Sequence, residues 1–187
     1  HIPRTGGTSI EDTFKEHGLN VGRFDENNKC WHMPFTFLNK DFRDKYLWFA
    51  VVRNPYTRII SEFNYIISVV IENNLKKNIN FNIFSVSDKP TLNKALRQMI
   101  QNRPQFDYHF LEQYKYIDSG VIIMKFENLE EDFSTFSSEN KIGFKLKKHH
   151  NKTKVKYLTI NDLDRGSFTL INEVYKQDFE IFNYVMK

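Results

Sequence analysis

Seven consecutive apolar residues, Tyr46 to Val52, run directly into Arg53-Asn54-Pro55. The run is too short for a buried helix and rich in aromatic and β-branched residues, so it reads as a strand covered on both faces. Pro55 then sits at a helix start, where its missing N–H costs nothing. Ile59, Phe63, Ile67, Val70 and Ile71 recur at helical spacing down to Lys77. A buried strand feeding straight into a helix is the building unit of an α/β fold. The pattern returns further on. Gly120 precedes a second apolar strand, Val121 to Phe126, and Glu127 to Phe136 reads as the helix after it.

Three more helices are expected. Thr8 to His17 is capped by Thr8 or Ser9, carries Glu11 and Asp12 at its positive end and stops at Gly18. Thr91 caps a helix to Arg103 after a loop from Asn78 to Pro90, and Phe168 to Val185 closes the chain. Lys145 to Lys156 is basic and irregular. The expectation is one α/β domain over residues 1–187. Its form is a P-loop-like three-layer domain with a central, mostly parallel sheet flanked by helices. The chain opens inside a motif at His1, so a further strand is expected before it.

Charge and composition narrow the function. The net charge of +4 suits an anionic ligand but is too small to indicate nucleic acid. Cys30 is the one cysteine, so no disulfide holds this chain together. No apolar run approaches the roughly 20 residues of a membrane span, and no signal peptide is visible. These features favour a cytoplasmic location and leave the oligomeric state open.

The segment His1-Ile2-Pro3-Arg4-Thr5-Gly6-Gly7-Thr8-Ser9 has the makings of an anion cradle. Adjacent glycines let the backbone approach closely, hydroxyls flank them, and a helix N-terminus follows. Arg4 adds a fixed charge. The same residues also read as a plain Gly-Gly turn before a capped helix. A Walker loop is excluded, because that motif needs lysine directly before Ser or Thr. The second constellation, Arg53-Asn54-Pro55-Tyr56-Thr57-Arg58-Ile59-Ile60-Ser61, lies at a strand's carboxyl end, where α/β proteins bind ligands.

Together these segments closely resemble the PAPS-dependent sulfotransferases of the group related to heparan-sulfate sulfotransferases. That group's loop usually reads H-I-P-K-T-G-G-T-S, and its second motif R-[DN]-P-x-x-R-x-x-S. The resemblance implies that Arg4, Thr5, Gly6, Gly7, Thr8 and Ser9 hold the 5′-phosphosulfate of 3′-phosphoadenosine 5′-phosphosulfate (PAPS). It implies that Arg53 and Ser61 bind the 3′-phosphate, with Arg58 structural or a secondary phosphate contact. Arg4 stands where the group has lysine. Arginine keeps the positive charge but does not release a proton.

His32 falls between the two motifs, where the resembling enzymes place a catalytic histidine. Sulfuryl transfer needs a base for the acceptor hydroxyl, and a neutral imidazole suits pH 7. His109 and Gln113 match a weaker H-x-x-x-Q pattern, which implies acceptor positioning or bracing of the fold. His149, Asn151, Lys152 and Thr153 fit a late H-x-N-[KR]-[ST] segment that closes over the nucleotide. Phe126 to Phe133 and Val174 to Tyr184 resemble the group's strand-to-helix segment and closing helix. The implied activity is sulfuryl transfer from PAPS to a hydroxyl acceptor. A sugar is favoured, with tyrosine or a small alcohol also open, and no metal is called for. Acceptor contacts are expected within Lys76 to Asp107. Two alternatives stand beside it: a P-loop-type nucleotide kinase, which would need the absent Walker lysine, and a non-catalytic module binding a nucleotide or a sulfated glycan.

Overall fold

A computed structural model of the chain describes residues 1–19, 32–76, 88–103, 108–147 and 155–187. Along the chain the elements are α1 (Gly7–Glu16), α2 (Lys40–Arg43), β1 (Trp48–Val52), α3 (Pro55–Lys76), α4 (Lys89–Gln101), β2 (Val121–Lys125), α5 (Leu129–Glu139), α6 (Arg165–Val174) and α7 (Lys176–Ile181), with short 3-10 turns between them. They divide into two compact units. The first comprises His1–Asn54 and Leu111–Lys152, the second Pro55–Phe110 and Thr153–Lys187.

In the first unit β1 and β2 pair in parallel, with Trp48 opposite Val121 and Val52 opposite Lys125. Val51 and Met124 meet Ile10 and Phe14 of α1 and Leu129, Phe133 and Phe136 of α5 in one buried cluster. Phe14 sits edge-on to Phe133 at 5.9 Å and to Phe144 at 5.1 Å. Such aromatic pairs add about 0.5–1.5 kcal/mol each beyond the area they bury. Helix α1 ends as its sequence foretells. Gly18 turns left-handed at φ 71°, and the Leu19 N–H reaches back 2.9 Å to the Phe14 carbonyl. Its start differs from expectation. Gly6, itself left-handed, occupies the cap position, and no side chain caps the helix.

The expected three-layer domain with a central, mostly parallel sheet is corrected here. Among the described residues the sheet has two strands, β1 and β2, and the remaining elements are helical. The physical reason lies in the apolar pattern. These two runs are continuous and β-branched, whereas the other apolar residues recur every three or four positions and bury themselves as helix stripes. A strand also needs a partner to satisfy its backbone, which local patterning cannot supply.

The second unit is helical. Ile59 and Phe63 of α3, Leu92, Leu96 and Ile100 of α4, Ile171 of α6 and Phe179 of α7 form its core. Asp88 caps α4 by accepting from the Thr91 N–H at 3.2 Å, so the cap lies three residues earlier than the expected Thr91. Pro90 tolerates the first turn because its missing N–H would have no helical partner there. The expected closing helix is two helices. The backbone breaks at Tyr175, whose fully buried side chain donates from its hydroxyl to the Phe110 carbonyl at 2.7 Å. Buried Asn64 clamps the returning chain. Its amide donates to the Leu158 carbonyl at 2.8 Å and its oxygen accepts the Tyr157 and Leu158 N–H groups at 3.0 and 2.9 Å.

Thr159 and Asp162 close a reciprocal cap, with the Thr159 N–H and hydroxyl each 2.7 Å from the Asp162 carboxylate. The Thr159 hydroxyl bond is the largest influence on Asp162. Joined by the Thr159 N–H and Lys89, it outweighs partial burial and holds the carboxyl below the ordinary aspartate value. A depressed carboxylate stabilises the fold fully above its unfolded pKa of about 3.9, and that stability is lost as pH falls through the lower folded value. Asp162→Asn should therefore show a shallower loss of stability than the wild type below about pH 4. Urea melts across the acid range test this, and parallel curves for the two proteins would refute it.

Candidate functional site

The loop before α1 holds an unusual backbone. Arg4 is left-handed at φ 63°, and Gly6 follows at φ 91°. A non-glycine residue there costs about 1–2 kcal/mol, so the surroundings must hold it in place. Two bonds do so. Fully buried Thr5 donates its hydroxyl to the Ile2 carbonyl at 2.8 Å, and Arg53 donates from Nη1 to the Arg4 carbonyl at 3.0 Å. The two glycines have different tasks. Gly6 supplies the left-handed cap. Gly7 leaves room for a ring, since a Cβ there would lie 2.6 Å from His1 Cδ2. Gly7 and Thr8 are the first two helical residues of α1, and N–H groups at such positions have no carbonyl of their own helix to bond. Thr8 is exposed and Ser9 half-buried, with the Ser9 carbonyl accepting from the Thr13 hydroxyl at 2.8 Å.

Arg53 leaves the end of β1 in a fixed pose. Its N–H donates to Gln113 Oε1 at 2.9 Å, and Gln113 Nε2 donates back to its carbonyl at 2.8 Å. Gln113 has no exposed surface, so its carboxamide braces the strand end as another strand would. The next N–H, of Asn54, donates to the Glu127 carboxylate at 2.8 Å. The Arg53 guanidinium lies 4.3 Å over the Phe126 ring. The end of β1 and the loop before α1 thus meet inside the first unit, joined by the bond from Arg53 to Arg4.

His32 is half-buried beside the same loop. Its Nδ1 lies 3.0 Å from the His1 carbonyl, and the two imidazoles meet edge-to-face at 4.7 Å. A carbonyl only accepts, so Nδ1 carries the proton of this bond. In the neutral ring the basic lone pair is then on Nε2. His1 Nδ1 in turn lies 2.9 Å from Glu11 Oε1. Sequence reasoning did not single out Glu11 for this role. The available signal was spacing, because Gly7 and Glu11 share one face of α1 at i and i+4.

The remaining sequence-derived residues lie elsewhere. Ser61 is half-buried on α3 in the second unit. In that unit Arg58 is fully buried, donating to the His109 carbonyl at 3.2 Å with its guanidinium 5.6 Å over Tyr175. His109 Nδ1 pairs at 3.1 Å with Glu62, a carboxylate with no exposed surface that sequence reasoning also passed over. Asn151, Lys152, Thr153, His149 and Cys30 lie outside the described residues. Among the described residues no group of three His, Cys, Asp or Glu could hold a metal ion, and no helix is long and apolar enough to cross a membrane.

Comparison with known proteins adds one finding. The model of the sulfotransferase family matches residues 1–185, nearly the whole chain. No curated protein and no solved structure matches it. A match of that extent covers the loop, the strand-end arginine and the closing helices together, and the chain therefore belongs to the sulfotransferase family.

Proposed function

We propose that this sulfotransferase uses PAPS as donor and a hydroxyl group, a sugar hydroxyl by preference, as acceptor. The observation that supports the reading is the bond from Arg53 to Arg4, which joins the two anion motifs, with His32 held against the same loop. The residues present fit a donor with two anionic ends. A left-handed glycine opens the start of α1, and a braced arginine stands at the end of β1. The 5′-phosphosulfate belongs to Arg4, Thr5, Gly6, Gly7, Thr8 and Ser9. The 3′-phosphate belongs to Arg53 and, by its motif, to Ser61. Asn151, Lys152 and Thr153 are assigned by motif to covering the nucleotide. PAPS, when bound, supplies an activated sulfuryl group.

Each protein group then has one task. His32 Nε2 takes the proton of the acceptor hydroxyl while Nδ1–H stays on the His1 carbonyl. The Arg4 guanidinium and the first N–H groups of α1 balance negative charge that builds on the phosphate side. Arg4 acts as fixed charge and not as a proton donor. His109, set by Glu62, is assigned to the acceptor.

A thermal shift with the desulfated product, 3′-phosphoadenosine 5′-phosphate (PAP), tests the donor assignment. At 100 times its Kd a ligand of the native state adds about 2.7 kcal/mol. That is a rise of roughly 5–11 °C, at about 2–4 °C per kcal/mol. The expected result is a rise with PAP and none with ATP or AMP at equal concentration. An equal rise with ATP would remove the 3′-phosphate from the account.

A further inference from the structure

The ring of His1 is held on three sides. Gly7 lies beneath it, with room for no side chain, because an added Cβ would fall 2.6 to 2.9 Å from three ring atoms. Glu11 sits 2.9 Å from Nδ1. The ring of His32 meets it edge-on at 4.7 Å. The main-chain carbonyl of the same residue accepts from His32 Nδ1 at 3.0 Å. The ring that meets His32 edge-on and the carbonyl that sets its tautomer thus belong to one residue, His1.

We propose that His1 and Glu11 are positioning residues for His32: the Glu11 carboxylate fixes the His1 ring in the notch at Gly7, and the His1 carbonyl then holds His32 as the Nδ1–H tautomer with Nε2 basic. This rests on the reading of His32 as the base. The logic is that of other oriented imidazoles, in which the partner of one nitrogen decides which nitrogen reacts. Here the partner is a main-chain carbonyl, and the carboxylate acts one residue further back. An imidazole without such a partner favours the Nε2–H tautomer, which would place the proton on the atom that must accept one. The arrangement also explains both glycines of the loop: the first for its left-handed backbone, the second for the seat of the ring.

Two readouts test this on the whole chain. Long-range proton–nitrogen NMR of the neutral His32 ring should show a protonated Nδ1 and a bare Nε2 in the wild type. In Glu11→Ala and in Gly7→Ala it should move toward the Nε2–H pattern. In steady state Glu11→Ala should lose kcat by about 10–100-fold, the usual cost of removing an orienting partner, with KM for PAPS unchanged. Glu11→Gln, which keeps an oxygen beside His1 Nδ1, should retain most of kcat. This variant and the PAP thermal shift separate a displaced ring from a misfolded loop. A wild-type ring protonated on Nε2, or a Glu11→Ala protein with unchanged kcat and tautomer, would overturn the proposal. Full activity of His32→Ala would overturn the base assignment instead, and the spectra tell the two apart because they need no turnover.

Discussion

His32→Ala is expected to lower kcat by about 10²–10⁴-fold, the usual contribution of a positioned general base. The affinity for PAP should stay close to that of the wild type, because His32 bonds the loop at the His1 carbonyl, a group not assigned to the nucleotide. The check pairs steady-state release of PAP at saturating acceptor with the thermal shift by PAP. Loss of both together would make His32 a structural residue of the loop. Retention of full turnover would move the base to His109, whose Nδ1 is already held by the buried Glu62 carboxylate.

Arg4→Ala should cost about 10²–10³-fold in kcat, the usual cost of deleting one preorganised group that stabilises developing charge. The substitution leaves the main-chain contact of the loop in place. Arg53 reaches the loop through the Arg4 carbonyl, which alanine retains. The left-handed backbone at φ 63° strains alanine no less than arginine. Arg4→Lys should keep most of kcat, since lysine carries the same charge and is the residue usual in this family's loop. Should lysine fail as badly as alanine, the planar two-pronged geometry of the guanidinium would be the property that matters. Kinetics of the two variants at saturating PAPS decide between charge and shape.

What the sequence revealed and what it hid divide along physical lines. The loop, the strand ending at Arg53 and the helix from Pro55 are set by neighbours in the chain, although β1 starts at Trp48, two residues into the apolar run, and is buried only at Val51 and Val52. Gly18 stopped α1 for the same reason. The sheet was misjudged because strand pairing is a long-range property, and two continuous apolar runs do not reveal how many partners they have. The closing helix breaks at Tyr175, whose hydroxyl bonds the distant Phe110 carbonyl, a tertiary contact invisible in a periodic stretch. The cap of α4 was misplaced by three residues, where Asp88 outcompeted Thr91. Within the site, charged residues were legible as motif members, but their supports were not. Gln113 clamping Arg53, and Glu11 lying against His1, join residues that no short motif contains. Sequence reasoning read the two glycines as one device for closeness to an anion. The fold gives each its own cause.

Acceptor-dependent release of PAP from PAPS should be measured for the wild type beside His32→Ala over a panel of sugar, tyrosyl and small-alcohol acceptors. Release is expected to require both PAPS and a hydroxyl acceptor, to be fastest with a sugar, and to be nearly abolished in His32→Ala. Release independent of any acceptor, or equal release by His32→Ala, would contradict it.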